Sequence, residues 1–463
     1  MKSNRTESDS IGEIDIDDNA LWGASTQRAI ENFPISTRRF SDDFISSLAL
    51  IKRYAAEVNL ELKLIDKKIA DSIVQAATDV YEGKFSKHFP VDIFQTGSGT
   101  STNMNMNEVV ASVANLESGG TLGTWDPVHP NDHVNMGQSS NDVMPSALHI
   151  AALIKIKTNL LPSLAMLHKS LQNKSEQFKE HLKIGRTHLM DALPITLGQE
   201  FSGWARQIEL CIKWISSSSS SLGEVAIGGT AVGTGVGAHP NFSKLLCKKL
   251  SKHLDIEFIA ASNSFEALSS HNAAVYVSGS LKTLAVALTR IADDIRLLAS
   301  GPRLGFAEIE LPALQPGSSI MPGKVNPVIP EMVTQVATQV IANDTAIAAA
   351  GKSGHLELNT QLPVIASNLL ESINLLSNAS KIFSEQCIDG ITAFEDRLGE
   401  NIKMSLAMAT ALVPKIGYER AAGIAKMAHA SGKSVRDIAL EENLVSESEL
   451  DKILDLKTLV NIK

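Results

Sequence analysis

Several short stretches of this chain are rich in hydroxyl, amide and glycine residues, which together can bind and polarise a small oxyanion. The densest is GSSIMPGKVNP at residues 317–327, which places two serines, a lysine and an asparagine in one short segment. The three prolines in and beside it exclude a continuous helix, and Gly317 and Gly323 permit backbone conformations closed to other residues. We therefore predict an irregular loop of defined shape whose polar groups act on one ligand.

Three further stretches have a similar composition: TGSGTSTN (96–103), GQSSND (137–142) and GRTH (185–188). Taken alone, each is explained as a turn or a helix cap, because Ser, Thr and Asn favour helix termini. Four such stretches in one chain, two of them with a possible general acid or base, are harder to explain as caps alone. Together they predict the lining of a pocket for a small anionic ligand.

Two nucleotide-binding patterns are superficially similar to parts of the chain, and both fail. The GxxxxGK[ST] pattern requires four residues between its glycines and a hydroxyl after the lysine, whereas five residues separate Gly317 from Gly323 and a valine follows Lys324. The glycine cluster GGTAVGTGVG (228–237) is not placed between a hydrophobic strand and a helix with a later acidic partner. A loop between helices explains it better.

No metal or disulfide site is predicted. None of the twelve histidines falls in an HExxH pattern, and His129 and His133 lie in a polar, proline-containing loop without a nearby cysteine or glutamate. Cys211, Cys247 and Cys387 are odd in number and in no CxxC spacing, which argues against a disulfide framework or a thiolate zinc site. A reducing compartment is expected.

Composition and charge limit the classes of function. With 463 residues, of which 44% are hydrophobic, the chain is long enough for two or three domains with a large core. Its net charge of -9 gives no overall basic field for nucleic acid or an anionic membrane, so an anionic ligand must be held by a few cations and neutral donors. The N-terminus has no apolar leader, and no apolar run approaches the roughly 18 residues needed to span a bilayer. We expect a cytoplasmic protein.

The polar loops must be positioned by long helices, because five segments repeat apolar residues at i, i+3, i+4 and i+7. The fourth is small or apolar around much of its circumference, which predicts burial on more than one side. We infer an oligomer whose core is built from these helices, and a central helix in a large monomer is the alternative. The segments are 146–171, 197–215, 273–300, 331–350 and 362–383.

We predict an all-α fold of three domains. The first, residues 1–140, is mostly helical and carries substrate loops. The second, residues 141–395, is a helical bundle with the GRTH and GSSIMPGKVNP loops. The third, residues 396–463, is a small helical domain. This division follows the change from short helical patterns with polar loops to long periodic segments, and then to a short C-terminal region.

GSSIMPGKVNP resembles the signature of the fumarase/aspartase superfamily, and other stretches resemble class II fumarate hydratases: TGSGTSTNMNMNEV, HPNDHVN, QSSND, GRTHLMDALPITLGQE and GGTAVGTG. The similarity runs from LWGASTQRAIENF, near residue 21, through the C-terminal region. It implies reversible hydration of fumarate to (S)-malate in the tricarboxylic acid cycle, without a cofactor. It also implies a homotetramer whose core is the central helical bundle and whose active sites each draw on three subunits.

The same resemblance implies the role of each site residue. Ser318 would take the C3 proton, and His188, paired with Glu331, would activate water or protonate the leaving hydroxide. The other expected substrate-binding residues are Ser98, Gly99, Thr100, Ser139, Ser140, Asn141, Thr187, Ser319, Lys324, Val325 and Asn326. A secondary dicarboxylate site would comprise His129, Pro130, Asn131 and Asp132, although a structural turn explains these residues almost as well.

Two alternatives remain open from the residues alone. One is aspartate ammonia-lyase: NPVIPEMVTQV (326–336) is more like the aspartase form, whereas Gly323, TGSGTS and His129 favour fumarase. Asp126 also departs from relatives that carry a basic residue there. The other alternative is a structural protein without activity on the same scaffold. It predicts the loss of catalytic residues, yet Ser318 and His188 are both present.

Overall fold

The structure, a computed structural model, describes residues 4–460, and most of them are α-helical. The helices, joined by short 3₁₀ and π-helical turns and by loops, are α1 (Ala24–Asn32), α2 (Asp42–Glu61), α3 (Lys67–Tyr81), α4 (Thr100–Glu117), α5 (Ser140–Lys155), α6 (Leu161–Gln177), α7 (Leu197–Ser219), α8 (Phe242–Leu254), α9 (Ser264–Ser269), α10 (Asn272–Leu298), α11 (Val328–Gly351), α12 (Leu362–Gln386), α13 (Glu395–Met404), α14 (Val413–Ile416), α15 (Tyr418–Ser431), α16 (Val435–Glu441), α17 (Glu447–Ile453) and α18 (Leu456–Leu459). The predicted all-α class is confirmed.

The strands are short and form two-stranded sheets, none of which the sequence analysis predicted. β1–β2, β3–β4 and β7–β8 pair antiparallel, and β5–β6 pair parallel. The most important for function is the β3–β4 hairpin, because it contains the GRTH stretch that was predicted only as a loop. The strands are β1 (Asn4–Asp9), β2 (Gly12–Asp17), β3 (Leu182–Thr187), β4 (Met190–Thr196), β5 (Glu224–Val225), β6 (Ile259–Ala260), β7 (Ile309–Glu310) and β8 (Thr392–Ala393).

All five segments with helical periodicity are helical in the structure. The first is longer than predicted, because a π-helical turn at Ile156–Leu160 joins α5 to α6. In α11, the fourth segment, Val333, Ala337, Val340 and Ile347 form one buried stripe, whereas Ile341 on another face is 37% exposed. A single chain therefore buries one side of α11, and the oligomer that would cover its other sides remains a prediction.

By its internal contacts the chain divides into two compact units, and the division points fall within helices α6, α7, α10, α11 and α12. Unit 1 comprises Met1–Pro162, Lys213–Thr283 and Thr338–Leu376, and unit 2 comprises Ser163–Ile212, Leu284–Ala337 and Ser377–Lys463. The three-domain division predicted from the sequence is a different partition and remains a prediction.

Each unit has its own apolar core. In unit 1, α2 contributes Phe44, Leu48 and Ile51, all fully buried. In unit 2, Ile184 of β3 belongs to a buried cluster with residues of the C-terminal helices, including Ile424. Burial of Ile184 against these helices stabilises the β3–β4 hairpin, because each buried aliphatic side chain contributes roughly 1.5–3 kcal/mol.

One helical run among the described residues, Ser140–Gln177, is long and apolar enough to cross a membrane, with a mean hydropathy of 1.4 over its most apolar window. The sequence analysis found no apolar run of the length needed to span a bilayer. This helical run meets the criteria of length and mean hydropathy, so that expectation is corrected here. Val143, Leu148 and Leu153 of this run are buried within the protein. Core helices of globular proteins have the same composition, so the run carries no argument for a membrane.

Candidate active site

Three hydroxyl side chains predicted to bind substrate lie together in unit 1. Ser98 Oγ is 2.8 Å from Thr100 Oγ1, which is in turn 2.7 Å from Ser140 Oγ. We call Ser98, Thr100 and Ser140 the hydroxyl cluster. Because Thr100 is the first residue of α4 and Ser140 the first of α5, two helix N-termini meet at the cluster. The positive dipole ends of these two helices favour an anion there.

Gly99 determines how the chain enters α4. Its φ is +76°, in the left-handed region, and a Cβ at this position would lie 2.5 Å from Cε of Met144. The backbone conformation therefore favours glycine between Ser98 and Thr100, and a larger residue would also have to displace the Met144 side chain. The left-handed conformation of Gly99 explains its predicted place in the site, because it brings the hydroxyl groups of Ser98 and Thr100 together near that of Ser140.

The start of α5 is held by a capping box and by a buried carboxylate that sequence analysis missed. Ser139 Oγ accepts from the Asn141 backbone N–H, and the Ser139 backbone N–H donates to Asp142. Asp142 also accepts from the backbone N–H groups of Gly228 and Thr230, each at 2.9 Å. Burial raises the pKa of Asp142 to about 6.

The glycine cluster at 228–237 is a loop, as predicted. Its hydrogen bonds to Asp142 fix it to the start of α5, which carries Ser140. Asn141 adds a second link, because its side-chain Nδ2 donates to Ala231 O at 2.8 Å. The predicted substrate residues Ser139, Ser140 and Asn141 thus belong to a tightly bonded corner of unit 1.

Lys52 of α2 is a second missed residue of this region. It is completely buried, and its ammonium donates to Asn103 Oδ1 at 2.8 Å, Asn135 Oδ1 at 3.0 Å and Gln138 Oε1 at 3.0 Å. Burial lowers the pKa of Lys52 to about 7, against the attraction of Asp142. A signal existed in the sequence, since Lys52 occupies the apolar face of α2 between Leu48 and Ala55.

In unit 2, Thr187 and His188 lie at the tip of the β3–β4 hairpin. Thr187 pairs with Met190, and the two residues between them, His188 and Leu189, have φ values of +56° and +63°. Positive φ at both central positions is the geometry of the type I′ turns that close two-residue hairpins. Thr187 and His188 are both exposed, so the hairpin presents them to a ligand.

The base of this hairpin is anchored by buried charges that sequence analysis also missed. Glu308 is fully buried, and its carboxylate lies 2.6 Å from Arg186 Nη1 and 2.9 Å from Lys183 Nζ. Lys183 also pairs with Glu200 at 2.8 Å, and the Arg186 guanidinium lies over the Phe306 ring. Arg186 precedes Thr187, the last residue of β3, so the network fixes the strand that leads to the exposed histidine.

Residues 317–327 form an irregular loop, as predicted from their prolines and glycines. Its two ends are joined, because the Gly317 backbone N–H donates to Lys324 O at 2.8 Å and Asn326 Nδ2 donates to Gly317 O at 2.6 Å. A Cβ on Gly317 would lie 2.6 Å from Lys324 O, so only glycine allows this approach. The loop therefore has a closed neck and a projecting tip.

Within the tip, Ser318 Oγ accepts from two backbone N–H groups, those of Ile320 at 3.2 Å and Met321 at 2.9 Å. Donors in this arrangement stabilise negative charge on the serine oxygen. Ser319, Lys324 and Val325 are exposed on the same loop, and among residues 4–460 no carboxylate lies within ion-pair distance of Lys324. The ammonium is thus free to bind an anionic ligand.

Glu331 lies in the first turn of α11, directly after the loop. Its carboxylate and the His188 imidazole form no hydrogen bond with each other in the described chain, so the expected pair is not brought together. The loop residues Ser318 to Asn326 are brought together, as is the hydroxyl cluster with Ser139 and Asn141.

The predicted secondary site is a π-helical turn, Pro130–Val134. His129 Nδ1 accepts from the backbone N–H groups of Asn131 at 3.2 Å and Asp132 at 3.1 Å, and His133 Nδ1 accepts from the His129 backbone N–H at 2.9 Å. These bonds account for the histidines as caps of the turn, which leaves ligand binding there a prediction.

Comparison with known proteins gives a consistent result over the whole chain. A family model described as Lyase matches residues 12–342, and one described as Fumarase C C-terminus matches residues 408–461. The chain is 48% identical over 450 residues to Fumarate hydratase class II 2 of Bradyrhizobium diazoefficiens, with 97% of this chain and 95% of that protein covered. It is 49% identical over 454 residues to Fumarate hydratase class II of Rickettsia bellii, with 98% of each covered. The crystal structure of recombinant class II fumarase from Schistosoma mansoni superposes with a TM-score of 0.96 at 38% identity, covering 99% of both chains.

Proposed function

Since this chain belongs to the class II fumarate hydratase family and is a hydro-lyase that interconverts fumarate and (S)-malate, we propose that Ser318 removes the C3 proton of malate. The observation that carries this assignment is the pair of backbone N–H groups, from Ile320 and Met321, that point at Ser318 Oγ. A serine is a poor base unless its oxyanion is stabilised, and these donors supply that stabilisation without solvent reorganisation.

Electrons from the broken C–H bond move into the neighbouring carboxylate, which becomes an aci-carboxylate dianion. Lys324 and Asn326 would bind this carboxylate, since the Lys324 ammonium is exposed on the same loop as Ser318. One N–H of the Asn326 amide is used to close the loop neck, which leaves the other for the ligand. Removing one donor of this kind typically lowers a rate by about 10²–10³.

Departure of hydroxide from C2 requires a proton, which His188 would supply with Thr187 beside it. In the direction of hydration, the same imidazole would take a proton from the attacking water. General acid–base help of this kind is worth about 10²–10⁴ in rate. Glu331 would stabilise the imidazolium, and we propose that this pair forms between two copies of the chain, since the two side chains are not bonded within one.

The hydroxyl cluster, with Ser139 and Asn141, would hold a substrate carboxylate through neutral donors. This explains how a protein with a net charge of -9 binds a dicarboxylate. Binding of a second dicarboxylate around His129 stays a prediction.

The assembly is proposed as a homotetramer in the cytoplasm, with active sites that each draw on three subunits. Ile341 of α11 is 37% exposed, as are apolar side chains of α10, namely Tyr276 at 61% and Val286 at 57%. Burial of these side chains by other copies would remove large apolar groups from water.

The first experiment follows fumarate by its ultraviolet absorbance, with purified protein and either L-malate or L-aspartate. We expect fumarate from malate and none from aspartate. Ser318→Ala should abolish turnover while leaving the oligomer intact, and His188→Asn should impair turnover severely. Ser202→Ala, which removes an exposed hydroxyl bonded to Gln199 O, is the matched control. Near wild-type turnover in Ser318→Ala would remove the base assignment.

A further inference from the structure

A completely buried lysine is costly, because an ammonium loses its hydration when it leaves water. Lys52 is such a residue, and α2 could have carried an aliphatic side chain on the same face, as it does at Leu48 and Ala55. Replacing buried charges with apolar residues of similar volume is often neutral or stabilising in proteins. A stabilising role alone therefore does not explain Lys52.

The contacts of Lys52 point to the substrate loops. Its three N–H donors match three acceptors, all of them side-chain amide oxygens. Asn103 lies in the first turn of α4, just after Thr100, whereas Asn135 and Gln138 lie in the turn that leads to Ser140. One ammonium thus joins the two segments that carry the hydroxyl cluster.

The acceptors are also linked to one another. Asn103 Nδ2 donates to Asn135 Oδ1 at 3.2 Å, and Asn135 Nδ2 donates to Gln138 O at 3.2 Å. Such a network has little freedom, because each amide is oriented by the ammonium and by its neighbour. The relative position of the first turns of α4 and α5 follows from this orientation.

We propose that Lys52 is a positioning residue for substrate binding, whose ammonium orients Asn103, Asn135 and Gln138 and so sets the contact between Thr100 and Ser140. The inference rests on the proposed function, in which the hydroxyl cluster holds a substrate carboxylate. Lys52 has no direct contact with the ligand in this proposal. It acts through the two helix N-termini, whose relative position its hydrogen bonds set.

The test is steady-state kinetics of the 463-residue chain carrying Lys52→Met. Because the cluster binds substrate similarly in the ground and transition states, its distortion should appear mainly in KM. We expect the KM for malate to rise by about tenfold or more, with kcat changed less than about threefold. A purely structural role would instead lower the fraction of active protein, so that kcat falls and KM stays the same.

Lys174→Met is a matched control. Lys174 is also buried and donates to neutral oxygens, Gln177 Oε1 and Ile391 O, both at 2.8 Å. None of these residues belongs to the proposed site, so the KM should stay at its wild-type value. Amide hydrogen exchange supplies a second readout: exchange of residues 135–141 should accelerate in Lys52→Met and not in Lys174→Met.

Gln138→Met covers the outcome in which Lys52→Met does not fold, since it removes one acceptor and keeps the ammonium. It should raise the KM by a smaller factor than Lys52→Met. An unchanged KM in every folded variant of Lys52 and Gln138 would overturn the proposal.

Two further variants separate this proposal from the proposed function. If Ser318→Ala keeps full activity, the assignment of the base fails whatever Lys52 does. If Ser140→Ala leaves the KM unchanged, the hydroxyl cluster is not the carboxylate site, and the role of Lys52 falls with it. A raised KM in both Ser140→Ala and Lys52→Met, with Ser318→Ala inactive, supports both.

Discussion

The hydroxyl cluster of unit 1 and the 317–327 loop of unit 2 carry similar residue types but are built in opposite ways. Ser98 in the cluster is 7% exposed, and the cluster's helices are fixed by Lys52 and Asp142, which are buried charges. In the loop, Ile320 is 83% exposed, and the segment is held at its neck by two hydrogen bonds to Gly317. One region is rigid before a ligand arrives, and the other depends on few contacts.

This difference matches the two roles in the proposed reaction: the hydroxyl cluster binds a carboxylate, and the loop removes a proton. Binding a carboxylate with neutral hydroxyls requires them to be fixed in advance, because each flexible donor loses entropy when it binds. A base loop needs few fixed atoms, and here these are the Ser318 oxygen and its two N–H donors. The exposed apolar side chains at the loop tip, Ile320 and Met321, support the proposed tetramer, in which other copies would cover them.

The β3–β4 hairpin resembles the cluster, because a buried charge network anchors it. Glu308→Gln should lower the free energy of unfolding by about 3–5 kcal/mol, since it leaves the buried Lys183 and the partly buried Arg186 with less compensation. Urea denaturation measures this change. Glu200→Gln is the matched control: Glu200 is 24% exposed and, among residues 4–460, forms an ion pair with Lys183 only, so its effect should be clearly smaller. Equal effects would show that the hairpin is not anchored through Glu308.

A substitution in the 317–327 loop should have the opposite effect: it should lower activity and leave stability unchanged. Lys324→Met should lower kcat by about 10²–10³, or roughly 3–4 kcal/mol, because the ammonium stabilises charge that develops in the transition state. Its thermal midpoint should not move, since Lys324 is exposed. Lys403→Met, at another exposed lysine of unit 2, controls for loss of charge. A Lys324→Met enzyme that is unstable and yet turns over normally would contradict the comparison.

Much of this architecture could be predicted from the sequence, and the exceptions have a common cause. The long helices follow from apolar periodicity, and the irregular 317–327 loop follows from its prolines and glycines. The β3–β4 hairpin was missed although LKIGRT and MDALPIT flank a two-residue turn, because His188 and Leu189 are not the residues usually found at positive φ. Turn residues such as Asn-Gly would have revealed it.

The anchors could not be predicted because their partners are distant in the chain. Lys52 lies far from Gln138 in sequence, and Glu308 far from Arg186, so neither contact appears in any local pattern. A charged residue in an apolar stripe, as at Lys52, is the available signal. Its partners, and therefore its role, require the fold.

The burial of Lys52, which fixes the hydroxyl cluster, should also make the free energy of unfolding depend on pH. The pKa of Lys52 falls from 10.5 to about 7 on burial, so between these values the unfolded chain holds a proton that the folded chain has released. Stability should therefore rise with pH from about 7 to 10.5, by up to about 1.4 kcal/mol per pH unit from this group. Asp142, the charged group that acts on Lys52, has a pKa of about 6 and stays ionised throughout.

The measurement is denaturant unfolding of the wild type and Lys52→Met at several pH values in this range. The variant lacks the titrating group, so the difference in free energy of unfolding between the two proteins should change in favour of the wild type as pH rises. A difference that is constant with pH would mean that Lys52 keeps its proton in the folded state.

The smallest expected effect is that of Gly323→Ala. This variant tests whether the backbone shape of the 317–327 loop affects kcat/KM when its functional side chains are unchanged. Gly323 has a φ of +79°, and a Cβ there would meet no atom within 4 Å, so Gly323→Ala introduces backbone strain alone. The left-handed conformation costs a non-glycine residue about 1 kcal/mol, which corresponds to about fivefold in kcat/KM if the strain displaces Ser318 and Lys324. Gly203→Ala, in helix α7 with equal space and an ordinary φ, should leave kcat/KM unchanged. If Gly323→Ala loses stability but not activity, the few contacts at the loop neck suffice to hold its reactive groups; if it loses activity, the tip itself must keep its shape.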